Sequence, residues 1–454
     1  MNVKRLVAAV AATTAVLGLA ATAPAIAQPE EPTTATTTTA PETPSTSEKV
    51  PSDASEPAER PTATEETATS EPATTPAEPT PGTTAGTTAG TTAAEPTTSA
   101  AEPTTAAVAP GDGEIQRRYD SLTPALRGEV GNPVRAEVVA GDALRWQDFT
   151  NARFYWTPET GVTIVQGQIF QRYLDFGAHE GLGVPVTDEL SSVGGTSRYS
   201  DFVFRDATGE YPSTIYWSTR TGAHLVVEAL RDHYRALGED RFGYVATDSY
   251  PTPDERAAYN HFVTPQGHGA SIYWSEFGVA SVKGAIRDKW AATGWERGPL
   301  GYPISDELDA GDGVGRYNEF SGDGRLLAGI VWSPQTGAHS LQGVIAQRYV
   351  ELGGPTGILG YPTTDELGTP DGRGRYNHFT GTGGASIYWT PQTGAHEVYG
   401  GIRARWSQLG WERSYLGYPV TGEYDIPQGR ASEFERGFVE WHRDTGAVVD
   451  FPKN

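Results

Sequence analysis

The chain has 454 residues, no cysteine and a formal net charge of −23. The length allows two or three ordinary domains. The lack of cysteine excludes disulfides, thiol nucleophiles and cysteine-held zinc, and the acidic balance excludes the basic face with which nucleic-acid binders displace counterions.

The first residues, "MNVKRLVAAVAATTAVLGLA", place Lys4 and Arg5 before an apolar run, and Ala25-Ile26-Ala27 fits a small-x-small cleavage site. Residues 1–27 therefore read as a secretory signal peptide. No later segment approaches about 18 apolar residues in a row, so no membrane span is expected after cleavage. Residues 28–111 are almost entirely Thr, Ala, Pro, Glu and Ser. With so little apolar surface to bury they are predicted to stay disordered, as a linker or spacer.

From Asp112 the composition changes to Trp, Tyr, Phe and Gly, and a phrase begins to recur. It reads "IYWSTRTGAH" from 215, "IVWSPQTGAH" from 330 and "IYWTPQTGAH" from 387, with blurred copies near 154, 272 and 439. Each unit opens on a helix-spaced stripe such as Val398, Ile402, Trp406 and Leu409. Gly177, Gly238, Gly294, Gly353 and Gly410 follow the stripes, where a C′ glycine would end a helix. A turn phrase comes next, for example "LGYPTTDEL" from 359. A hairpin closes the unit: "RYNHF" (375–379) is expected to pair with "SIYWT" (386–390), and Gly394 to take a left-handed turn position. Six units result, at 112–164, 165–225, 226–281, 282–340, 341–397 and 398–454. A period of this size marks a stacked architecture in which one unit alone is marginal. The expected fold is an α+β repeat of six small sheets, each with a short helix, arranged as an elongated stalk or solenoid rather than a closed ring.

The order Leu-Gly-x-Pro, Ser/Thr-Asp-Glu, Tyr-x-x-Phe and Ile-Tyr-Trp-x-x-x-Thr-Gly-Ala-His resembles the LGFP repeat over all of residues 112–454, although Tyr, Val or Asn stands in the third place of the first phrase. The resemblance implies a β-rich module of envelope proteins in mycolic-acid-containing actinobacteria. It also implies attachment to a cell-wall polymer, peptidoglycan–arabinogalactan. Here the repeats stand without a catalytic domain beside them.

Within the units, Glu189, Glu307 and Glu366 precede Arg198, Arg316 and Arg375 by nine residues, and the third unit has Ser249 and Ala258 instead. An ion pair within the unit follows, with Arg also able to grip an anionic group of the wall. Trp156, Trp217, Trp274, Trp332, Trp389 and Trp441 share a face with the strand Ile and are assigned to the core, as are Phe202, Phe320 and Phe379. Tyr155, Tyr216, Tyr273 and Tyr388 alternate to the opposite face and become the candidates for sugar contact, with His224, His339 and His396 beside them. Val331 takes the Tyr place in the fourth unit. No metal site and no cofactor are expected, because converging ligand sets are lacking. The adjacent carboxylates Asp188-Glu189, Asp306-Glu307 and Asp365-Glu366 are poor glycosidase pairs, since strand neighbours point apart. The favoured reading is a non-catalytic, exported wall-binding protein. A structural spacer or docking stalk for a partner is the alternative, and a wall hydrolase the third.

Overall fold

The computed structural model describes residues 112–322 and 328–453, so the predicted signal peptide and linker lie outside the described residues. Among the described residues no helix is long and apolar enough to cross a membrane. The fold is mostly β. Six antiparallel sheets follow one another, four-stranded except for the second and third, which have five strands. In the fifth, Leu367–Gly368, Arg375–Phe379, Ala385–Thr390 and Gly394–Tyr399 lie side by side in chain order. Tyr376 faces Tyr388 and Phe379 faces Ala385, which is the expected hairpin. Gly394 has φ 82°, the left-handed turn position.

The helices are shorter than their stripes. The fifth sheet runs directly into helix Gly400–Leu409, so Val398 belongs to the last strand and only Ile402, Trp406 and Leu409 to the helix. The corner is Gly400, at φ 56°, a conformation open to Gly without steric cost. The last strand of each of the first five sheets therefore runs two residues past the boundary read from sequence. The stripe still reads as continuous because strand end and helix point into one core.

That core lies between sheets. Tyr388 of the fifth sheet, Ile402 and Trp406 of the helix, and Phe434 and Val439 of the sixth sheet form one buried cluster. Tyr273, Ile286, Trp290, Phe320 and Ile330 do the same two steps earlier, between the third and fourth sheets. We call a helix plus the sheet that follows it a module. Each helix from the second module onward packs on the sheet before it and the sheet after it. The first module has a cluster of its own, with Ile115, Tyr119, Phe149, Phe154 and Ile164, and the later cores are shared between modules, consistent with the small unit size.

The helix aromatic is Tyr or Trp because its polar tip has a partner. Tyr173, Tyr234 and Tyr349 donate from the hydroxyl to the carbonyls of Gly183, Gly243 and Gly360 at 2.7, 2.6 and 2.8 Å. Trp290 and Trp406 donate from Nε1 to Gly301 and Gly417 at 3.1 and 3.2 Å. These glycines belong to the Leu-Gly phrase, or to its Phe242-Gly243 copy in the third module, so the recurring turn is fastened to the recurring helix.

Polar staples cross the module boundaries. Asn377 donates from Nδ2 to the carbonyls of Ser340 and Thr364, and Asn318 to those of Ser281 and Ser305. The Asp of the Ser/Thr-Asp-Glu phrase accepts from the last strand of the preceding sheet: Asp188 from Ile164 N–H, Asp248 from Leu225, Asp306 from Ser281 and Asp365 from Ser340, all at 2.8–3.0 Å. The same carboxylates meet a side chain from the preceding module's helix, namely Arg118, Arg172, His233 and Lys289.

Candidate functional site

The hairpin register sets Arg directly across from Trp: Arg145 faces Trp156, Arg198 faces Trp217, Arg316 faces Trp332, Arg375 faces Trp389 and Arg430 faces Trp441. In the third module Ala258 stands across from Trp274. Each Arg also has its Glu. Arg198 Nη2 lies 2.8 Å from Glu189 Oε1, Arg430 Nε 2.8 Å from Glu423 and Arg145 Nη1 3.1 Å from Glu137, and Arg375 pairs with Glu366. Arg316 is 4.0 Å from Glu307 and leans instead to Asp309 at 2.7 Å.

The two partners are not equivalent. The Glu366 side chain is 7% exposed and that of Arg375 46%. Glu366 also accepts from Gln342 N–H at 3.1 Å in the preceding module, so the acid is committed to the fold and the guanidinium reaches solvent. Burial pushes the Glu366 carboxyl up, against the pull of Arg375. Burial likewise pushes Glu423 up to about 7, against Arg430.

The tyrosines are not at the surface. Tyr155, Tyr216, Tyr273 and Tyr388 are 0–3% exposed, which corrects their assignment to sugar contact. The helix that follows each sheet covers the Tyr face. Tyr388 packs edge-on to Trp406 at 4.7 Å between ring centroids, and Tyr273 likewise to Trp290 at 4.9 Å. The sequence carried a sign of this, since three consecutive apolar residues in "IYW" mark a strand covered on both faces. The histidines serve the turn. His224, His339 and His396 place Nε2 2.8, 2.9 and 2.7 Å from the carbonyls of Thr221, Thr336 and Thr393. Phe202, Phe320 and Phe379 are buried. Trp156 is buried, while Trp217, Trp274, Trp332, Trp389 and Trp441 are half-buried against the core clusters.

The surface thus keeps a partly exposed Arg beside a Trp edge in four modules, at Arg198, Arg316, Arg375 and Arg430, while Arg145 is buried and the third module has Ala258 there. Among the described residues no group of three or more His, Cys, Asp or Glu is placed to hold a metal ion. The adjacent acids diverge: Asp365 goes to Lys289 and Glu366 to Arg375.

The model of the LGFP repeat matches six stretches, residues 130–181, 182–241, 242–298, 300–357, 359–414 and 416–449. No curated protein matches the chain. Among solved structures, a candidate 6-phosphogluconolactonase from Bacteroides uniformis is 12% identical, over 67% of this chain and 92% of its own, at a TM-score of 0.13. An arginine-to-alanine mutant of AofleA from Arthrobotrys oligospora is 11% identical, over 58% and 66%, at 0.13. TolB from Acinetobacter baumannii is 11% identical, over 55% and 49%, at 0.11. Similarity this low carries no argument.

Proposed function

Because the chain belongs to the LGFP-repeat family across residues 130–449, we propose that it is an exported, non-catalytic protein that holds to a cell-wall polymer through its repeats. The observation that carries the reading is the Arg–Trp pair displayed in the second, fourth, fifth and sixth modules, with its acid largely buried beside it. A guanidinium can grip a carboxylate or phosphate with two parallel hydrogen bonds, and an indole edge gives apolar contact to a sugar ring. Each contact alone is weak. Tethered contacts raise effective concentration, so several together give useful avidity. An extended arrangement of the modules would suit this role, and solution scattering tests it: a compact profile for the 112–454 fragment would speak against a stalk.

The direct test is co-sedimentation of the purified chain with washed cell walls. Arg375→Ala should weaken binding modestly, and Arg198→Ala, Arg375→Ala and Arg430→Ala together should weaken it strongly with thermal melts preserved. Unchanged sedimentation of the folded triple variant would move the binding surface elsewhere. Failure of the unaltered chain to sediment would favour a spacer that docks a partner.

A further inference from the structure

One module lacks what the others place at the same point. The strand residue three after the hairpin Arg faces the following helix or its equivalent, and in five modules a cation meets it. Arg153 meets Asp148 at 2.5 Å in the first, and Arg235 meets Asp201 at 2.7 Å in the second. In the third, Arg287 Nη2 reaches His261 Nδ1 at 3.5 Å, and Arg403 reaches His378 at 3.4 Å in the fifth. In the sixth, Lys453 meets Glu433 at 3.1 Å. Four of these guanidiniums lie on an aromatic ring of the chain. Arg287 sits 4.8 Å over Trp295 and Arg403 4.9 Å over Trp411. Arg235 lies over Tyr199 and Arg153 over Phe170, at 5.3 and 5.9 Å.

Among its described residues the fourth module has the acid and neither of the other parts. Register places Glu319 where His261 and His378 stand, and Gly329 where Ser271 and Ser386 stand. Counting from the helix start, Ala346 replaces Arg287 and Arg403, and Gly354 replaces Trp295 and Trp411. The backbone is unchanged at that last position, with φ 58° for Gly354 against 56° and 57° for the tryptophans. A Cβ on Gly354 would meet nothing within 4 Å. A cavity of about 470 Å³ results, bounded by Glu319, Gly329, Val331, Ala346, Tyr349 and Gly354. That is the size of a ligand pocket. Among the described residues nothing donates to the Glu319 carboxylate.

We propose that this cavity is a docking site for a partner polypeptide, which inserts an arginine stacked on an aromatic side chain. The partner supplies from outside what four modules supply from within, with its guanidinium on Glu319 and its ring in the space that indole fills at Trp295 and Trp411. Charge and shape both favour this occupant. Residues 28–111 and 323–327 contain no Phe, Tyr or Trp, so neither segment of this chain can furnish the ring.

The test uses the whole exported chain and a capped Arg-Trp dipeptide, followed by titration calorimetry and ligand-observed NMR in the absence of wall polymer. Saturable binding is expected, with a capped Glu-Trp dipeptide at least about tenfold weaker. Glu319→Gln should weaken the Arg-Trp dipeptide by about tenfold or more. The pair Ala346→Arg with Gly354→Trp should abolish binding, because it rebuilds the filled arrangement. Thermal melts accompany each variant, and if the pair does not fold, Ala346→Leu, which narrows the cavity, replaces it. No binding to the unaltered chain, equal binding of both dipeptides, or binding that these variants leave untouched would overturn the proposal. Binding that emerges only in Arg325→Ser would overturn it too, by giving the cavity to the chain's own side chain.

Discussion

Tyr388 and Trp389 are neighbours on one strand, and they exchange the roles that alternation alone suggests. The indole is half-buried at the sheet rim beside Arg375, and the phenol is 3% exposed under the next helix. Alternation was legible in the sequence. That the second face is also covered was not, because the covering helix belongs to the following module. Tyr388→Ala should therefore cost about 3–5 kcal/mol, as for other buried aromatics. Denaturant titration beside the unaltered chain measures this, and a cost below about 1 kcal/mol would return Tyr388 to the surface. Asp365 gives a pH signature. Burial alone would raise its carboxyl, but His339, Lys289 and the Ser340 N–H outweigh burial and hold it well below the usual range. With the folded value depressed, its stabilisation is fully present above the unfolded value of about 3.9 and is lost as pH falls through the folded one. Asp365→Asn should thus be less stable than the parent at pH 7, with the difference shrinking in acid. A gap that does not change from pH 7 to pH 2 would show that the carboxylate charge plays no part.

At the scale of elements, the ends of the helices were more legible than their starts. Gly353 and Gly410, read as C′ residues, have φ 93° and 102°, since only glycine takes that conformation freely. The starts were hidden because Val398 and Ile402 are four apart and both buried, one on a strand and one on a helix. Spacing records which core a residue enters and not the backbone that carries it. The helix aromatics make a sharper point. Tyr349→Phe keeps the ring stacked on Phe379 at 5.0 Å but removes the donor to Gly360. The loss should be about 1 kcal/mol, the cost of a buried acceptor left open. Thermal melts measure it, and a neutral result would mean that the ring alone fastens the turn.

For the molecule as a whole, the period and the number of repeats could be read from the letters, while the placement of cores between modules could not. A repeated stripe looks the same whether it packs within its unit or across to the next. The fifth junction shows how closely the crossing contacts are matched. Gly422 stands where Asp188, Asp306 and Asp365 stand in earlier phrases, and Glu397 takes over the helix cation. Arg348 meets both of its oxygens, at 2.8 and 3.0 Å. A Cβ on Gly422 would come within 2.1 Å of Glu397 Oε1. Gly422→Asp should therefore destabilise by about 1–3 kcal/mol through crowding, with like-charge repulsion added. Combining it with Glu397→Ser, the residue found at Ser281 and Ser340, should recover much of the loss. A double-mutant cycle by thermal unfolding measures the coupling, and additive costs would mean the two positions do not substitute for each other.

The polar helix side chains work as punctuation. Each of the first four modules leaves a comma, a helix side chain whose carboxylate partner arrives only with the next module's turn. The fifth and sixth end on full stops. Arg348 is answered by Glu397 of its own sheet, and Arg405 by Asp450 at 2.6 Å, which faces Val439 as Glu397 faces Ile387. The array therefore has a reading direction. A chain cut after the fourth module would leave Lys289 waiting for Asp365, and a chain cut after the fifth would leave no such clause open.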